Sequence, residues 1–279
     1  MKFRLVLILS CLAAGLRAEE APPPEFIRVE ESESATRLQT ALVRFTKGDA
    51  SVELVGAVHI ADRKYYQDLA KRFEGYEALL YEGIGGDRPA APVEEEAAPA
   101  AAPAAKGKLD GLHTAYDSAA AWLGLSYQMK EIDYRKANFV HADLSAEEFA
   151  ALQAERGESL LGFVLEAGLK KPEQPVKEPS SLKLLISLAR GDKNGLKREL
   201  VHTLGAGDDQ VAALAGDNVI IGDRNAKCLR VLDREVLAGR KKLGIFYGAA
   251  HFPDMEKRLL DGGWTKTGTT WLTAWDIAR

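Results

Sequence analysis

The segment GAVHIAD at 56–62 recurs as GAAHFPD at 248–254. In both copies an apolar run, Ser51–Val55 or Lys241–Tyr247, leads to a glycine, a histidine three residues on and an aspartate three further. That order predicts a strand, a tight turn and a capped helix, built twice. Asp62 and Asp254 are the expected caps, with helices over Arg63–Phe73 and Met255–Leu260. His59 and His251 then stand where strands end, the edge at which open α/β sheets bind ligands. If the two strands belong to one sheet, the two imidazoles share one site.

The rest of the chain divides by composition. Lys2 and Arg4, the apolar stretch Leu5–Leu16 and Ala18 form an export signal over 1–18, too short to span a bilayer, so the mature chain is expected outside the cytoplasm, in a periplasm or secreted. Lipid attachment at Cys11 is the alternative fate of that end. Without the leader the chain holds 34 Lys and Arg against 41 Asp and Glu, a poor overall match for nucleic acid or anionic lipid. Its one remaining cysteine, Cys228, excludes an intramolecular disulfide, so stability must come from an apolar core.

Residues 19–36, rich in Pro, Glu and Ser, read as a flexible lead-in to a single domain over 37–279. Leu38–Phe45 and Ser51–Val55 flank a hairpin turn, and Glu77–Gly83 contains a buried strand. Residues 87–108 collapse to Ala, Pro and Glu and form a low-complexity insertion. Helices are expected over Leu112–Met129, Phe149–Glu155 behind a Ser145/Glu148 capping box, Ser159–Leu169, Leu182–Leu188, Gly195–Leu204 and Asp223–Leu237. Strands over Lys242–Tyr247 and Thr265–Thr273 close the chain. The fold class is α/β: a central mixed sheet formed by N- and C-terminal β-α-β halves, with a helical middle segment and no transmembrane helix in the mature chain.

Three side chains carry the chemistry. His59 and His251 offer imidazole nitrogen and Glu82 offers carboxylate oxygen, a donor set suited to a borderline divalent metal with a position left for water. The alternative is that each histidine anchors its turn on the neighbouring aspartate. Arg224 and Asn225 open a helix after the apolar Val219–Ile221; the guanidinium is placed either to stabilise a developing oxyanion or to pair with Glu82 or Asp62. Asp133, Tyr134, Arg135, His141 and Asp143 line the site from beyond the sheet or lie on the surface, while His113 and His202 read as solvated.

These residues resemble the TraB/TIKI family, related more distantly to erythromycin esterases and haem-associated ChaN-like proteins. The family pattern is a first GxxH, a Glu after a later strand, an Arg-Asn pair opening a helix and a second GxxH, matched here by Gly56–His59, Glu82, Arg224-Asn225 and Gly248–His251. The resemblance spans about 40–279. It implies a metal-dependent hydrolase, a peptidase first, acting on a peptide or small ester. His59, Glu82 and His251 would hold Mn, Co or Zn, and Glu82, Arg224 and Asn225 would be catalytic. A non-catalytic metal- or haem-binding envelope protein is the alternative.

Overall fold

The computed structural model describes residues 26–85, 114–158, 180–212 and 218–278, without the side chains of 203–212. The leader, the insertion at 87–108, the helix expected over Ser159–Leu169 and His113 lie outside the described residues. The fold is mixed α/β. Seven strands form one sheet: β1 (Ile27–Glu31), β2 (Ala35–Lys47), β3 (Ala50–Ala57), β5 (Ala78–Tyr81), β7 (Phe139–His141), β8 (Lys242–Gly248) and β9 (Thr265–Ala278). β4 (Ile60–Ala61) and β6 (Ser126–Tyr127) make a separate two-stranded ribbon.

β3, β8, β5 and β7 lie side by side and parallel. Burial on both faces requires near-continuous apolar runs, and Leu54–Ala57, Ala78–Tyr81 and Leu243–Tyr247 are buried without a break. β8 is the keystone, since it joins β3 of the N-terminal half to β5 and brings Gly248 level with Ala57. The expected closure of one sheet by the two ends of the chain is therefore observed.

β2 is antiparallel to three strands. It carries β9 from Ala35 to Thr46 along one edge, so β1 and β3 must share the other, β1 at Thr36–Thr40 and β3 at Leu42–Lys47. At the handover Ala41 N–H donates to the Phe26 carbonyl. Gly56 sits against this junction: a Cβ there would lie 3.2 Å from the Ala41 carbonyl oxygen and from Thr40 Cβ. The first glycine of the repeat thus has a packing reason independent of any chemistry.

Successive residues of a strand face opposite ways, and β8 uses this to order the layers. Phe246 meets Phe73 of α1 (Arg63–Phe73) at 4.8 Å between ring centroids, whereas Tyr247 meets His251 at 5.2 Å. Helix α1 therefore covers one face. The histidine corner, α5 (Arg224–Leu237) and α6 (Phe252–Asp261) belong to the other. Between β7 and α5 the chain forms α2 (Ala146–Arg156), α3 (Ser181–Arg190) and α4 (Lys193–Ala212). The Ser145/Glu148 capping box is present as expected.

Three local expectations change. The flexible lead-in of 19–36 becomes strand from Ile27, because Phe26 and Ile27 are buried and Phe26 packs edge-on against Phe252. The middle segment is not wholly helical: β7 extends the parallel sheet and β6 pairs with the turn after β3. Neither aspartate of the repeat caps its helix through its side chain. Asp62 accepts from Asp276 N–H, tying β9 to the turn, and Asp254 lies inside the first turn of α6 and faces Asn225 and Arg258.

Close layer packing generates the first prediction. A Cβ at Gly244 would fall 2.7 Å from Leu79 Cδ1 and 2.9 Å from the Tyr76 ring, while at Gly268 nothing lies within 4 Å. Gly244→Ala is expected to destabilise by about 1–3 kcal/mol through overpacking. Gly268→Ala should stay within about 0.5 kcal/mol of the parent, as surface changes do. Urea denaturation of the two variants checks both.

Candidate functional site

Four parallel strands end at one edge, and each delivers a polar side chain just beyond its last residue: His59 after β3, His251 after β8, Glu82 after β5 and Asp143 after β7. Arg224 enters from the start of α5, held there by a π-helical turn, Val219–Asp223, whose Ile220 carbonyl accepts from Nη1 at 3.3 Å.

Arg224 is the centre of the cluster. Nε and Nη2 grip Asp143 in a two-pronged pair at 2.9 and 2.7 Å, and Nη2 also donates to Glu82 Oε1 at 2.7 Å. Nη1 points at His251 Nε2, 3.4 Å away. All five guanidinium donors are engaged and the side chain is buried. Burial alone would weaken its charge, but Asp143 and Glu82 raise its pKa further above the ordinary arginine value. Asp143, itself buried, also accepts from the N–H groups of Gly83 and Leu144, both at 2.8 Å. The expected pairing of Arg224 with Glu82 is present. The loosest donor of Arg224 is Nη1, with partners at 3.3 and 3.4 Å.

Glu82 has one oxygen on Arg224 and the other on Gly248 N–H at 2.8 Å. The second glycine of the repeat thus serves the carboxylate directly. Burial pushes the Glu82 pKa up, but Arg224, His251, His59 and the Gly248 N–H outweigh it and hold the carboxyl well below the usual range.

The tautomer of His251 follows from its partners. Asn225 Nδ2 donates to the His251 carbonyl at 3.0 Å and to Asp254 at 2.8 Å, both pure acceptors, which fixes Oδ1 toward the ring. Nδ1 lies 2.6 Å from that Oδ1 and must carry the proton. Nε2 is left with a lone pair, 3.7 Å from Glu82 Oε1. Burial is the main reason that the His251 pKa falls to about 4, with Arg224 adding to it and Glu82 opposing. The ring is neutral near pH 7, so the His251–Glu82 contact is not an ion pair there. Asn225 is a positioning residue for His251, and neither histidine leans on the aspartate of its own turn through a side-chain bond.

His59 stands apart from this buried set. Its carbonyl accepts from Gln128 N–H at 2.9 Å and its ring lies 4.9 Å from that of Tyr116, but the side chain is exposed on the rim. Of the further polar candidates, His141 binds the Gly83 carbonyl through Nε2 at 2.6 Å and supports the loop after Glu82. Asp133 and Arg135 pair with each other at the surface, and Tyr134 joins an aromatic cluster with Tyr81 and Phe139. His202 is half-buried against Glu31 at 3.0 Å rather than solvated. Cys228 is fully buried and its thiol pKa is raised by desolvation, as a core residue requires. Its place beneath Tyr247 could be found only from the fold.

Two donors 3.7 Å apart stand a few tenths of an ångström wider than the edge, about 3.3–3.4 Å, of a tetrahedral shell with bonds of roughly 2.0–2.1 Å. The unprotonated Nε2, fixed by an amide on the far nitrogen, has the arrangement of a metal-ligating histidine. Among the described residues no group of three His, Cys, Asp or Glu side chains closes around one point. No family model, curated protein or solved structure matches the chain.

Two predictions follow from the burial of this cluster. Arg224→Met strands Asp143 and should cost about 3–5 kcal/mol, as removing one member of a buried pair does. Adding Asp143→Leu should recover part of the loss; strictly additive effects in urea denaturation would contradict the pairing. The second concerns acid. Unfolded His251 takes up a proton below about pH 6.5, whereas folded His251 does so only near pH 4. Its contribution to stability is complete above the first value and lost as pH falls toward the second. The depressed Glu82 acts only below the ordinary glutamate pKa of about 4.3, so the interval above that isolates His251. In metal-free protein, His251→Gln should flatten the decline of Tm between about pH 6.5 and 4.5; an unchanged slope would contradict it.

Proposed function

We propose that the strand-edge cluster is the site of a divalent-metal-dependent hydrolase acting on a peptide or small ester. The observation that carries this reading is the unprotonated His251 Nε2, whose tautomer Asn225 fixes and which lies 3.7 Å from Glu82 Oε1; it accepts from Arg224 Nη1 at 3.4 Å, a long contact that a bound cation would replace. A lone pair opposed to a carboxylate attracts an electrophile between them, and His59 offers a third donor at the solvent side. The low pKa of His251 suits a ligand, which must be neutral, better than a general base, which works best near the ambient pH. The motif order shared with the TraB/TIKI family supports the same donor set.

A bound Mn, Co or Zn would supply Lewis acidity toward a water and a carbonyl oxygen. The chain's own residues set the conditions. Arg224 and the Gly248 N–H hold Glu82 ionised and in one orientation, Asn225 holds the His251 tautomer, and Asp143 keeps Arg224 in place. The exposed His59 leaves substrate access from the rim. An export signal would place this activity in a periplasm or outside the cell.

The test is metal content together with turnover on a panel of peptides and esters with added Mn, Co and Zn. The expected result is about one ion per chain, lost in His251→Ala and Glu82→Gln, with turnover lowered by about 10²–10⁴-fold in both. Tight metal without turnover would support the non-catalytic binding protein instead. Turnover that survives chelation would overturn the metal requirement, and unchanged metal content in both variants would overturn the site.

A further inference from the structure

Helix α3 turns its apolar side outward. Ser187 is buried and Leu184 half-buried, which fixes the side resting on the body of the protein. With about 100° between successive residues, the opposite side belongs to Leu182, Leu185 and Ile186, while Leu188, one turn on from Leu184, lies at its flank. These are 67%, 63%, 41% and 52% exposed, a concentration of large apolar surface that a soluble helix ordinarily faces inward.

Charge decides what covers it. The whole chain is acidic, net −4, yet residues 180–202 hold Lys183, Arg190, Lys193, Lys197 and Arg198 against Asp192 and Glu199. Lys183 pairs with Glu199, Arg198 with Asp192 and Lys197 is buried, which leaves the exposed positive excess in Arg190 and Lys193. On the helical projection Arg190 and Lys183 border the apolar stripe. Lys193 reaches the Ala121 carbonyl at 3.3 Å, next to Trp122, which is 49% exposed. An outward leucine stripe with basic residues at its border and an exposed tryptophan nearby is the pattern of a helix that lies in the headgroup layer of a membrane.

A second copy of the chain fits less well. A ten-residue helix is about 15 Å long and about 10 Å wide, so one face offers on the order of 150 Å², far short of the roughly 800 Å² per partner of a stable interface. A like-charged surface would also meet itself across the symmetry axis.

We propose that α3 is a peripheral docking surface for an anionic lipid bilayer, with its leucine stripe at the acyl boundary and Arg190 and Lys193 at lipid phosphates. The inference is independent of the hydrolase reading and needs no residue of that site.

Sedimentation with sucrose-loaded vesicles tests it, using the chain from Glu19 onward, which keeps every described strand and helix and removes the apolar leader. Vesicles of phosphatidylcholine alone are compared with vesicles holding about 30 mol% phosphatidylglycerol. Binding should require the anionic lipid and fall about tenfold or more in Leu185→Glu/Ile186→Glu and in Arg190→Glu/Lys193→Glu. It should also weaken at about 0.5 M salt. Both variants should keep the parental circular dichroism and melting curve. No binding by the parent, or binding undiminished in both variants, overturns the proposal. So does a dimer in sedimentation velocity that Leu185→Glu/Ile186→Glu dissociates, because a second copy would then occupy the face.

Discussion

The parallel pairing of β3 with β8 is the contact on which the rest of the molecule depends. Ser51–Ala57 lie in register with Lys242–Gly248, so the two ends of the chain share one ladder and the two repeat turns leave it side by side. Loop closure over so long a separation is unfavourable in itself, though its entropic cost grows only slowly with length. It is offset by burial on both faces of Leu54, Val55, Ile245 and Phe246. Without that ladder the β8-β5-β7 end of the sheet would part from β3, and the turn that carries His59 would be separated from the edge where β8 and β5 place His251 and Glu82.

On that frame the site is built around a charge imbalance. Two carboxylates, Asp143 and Glu82, face one guanidinium in a buried space, and the neutral His251 completes the contact. The arrangement is rigid because each donor has a definite acceptor. It is also incomplete in charge, since one cation stands against two anions. That residual negative potential beside an unprotonated imidazole is the physical basis for reading the edge as a cation site. The same contacts let Arg224 fix the positions of both carboxylates.

Much of this was legible in the residues. The repeat predicted that His59 and His251 end neighbouring strands, and α1 and β8 stand within a residue of their expected bounds. The Arg224–Glu82 pair was one of two alternatives read from the helix start. What was not legible depends on tertiary contact. β7 is three residues long, too short for any period, and becomes a strand because β5 offers it an edge. β1 was hidden in a polar stretch whose few apolar residues find α6 and β2. The cap reading of Asp62 and Asp254 failed because β9 and Asn225 supply stronger partners than a helix N-terminus. The exposure of His59 likewise follows from the path of the chain after β3, where the β4–β6 ribbon holds the backbone and leaves the ring outside.

The central claim is the state of one imidazole: His251 neutral, protonated on Nδ1, with an unprotonated Nε2 between Arg224 Nη1 and Glu82. Long-range 1H–15N correlation on histidine-labelled protein reads that state directly. At about pH 6, where a free histidine is largely charged, the account predicts a neutral Nδ1–H ring with an unprotonated Nε2, whose resonance moves when Zn²⁺ is added. An imidazolium at that pH, a proton on Nε2, or an Nε2 resonance indifferent to Zn²⁺ would contradict it.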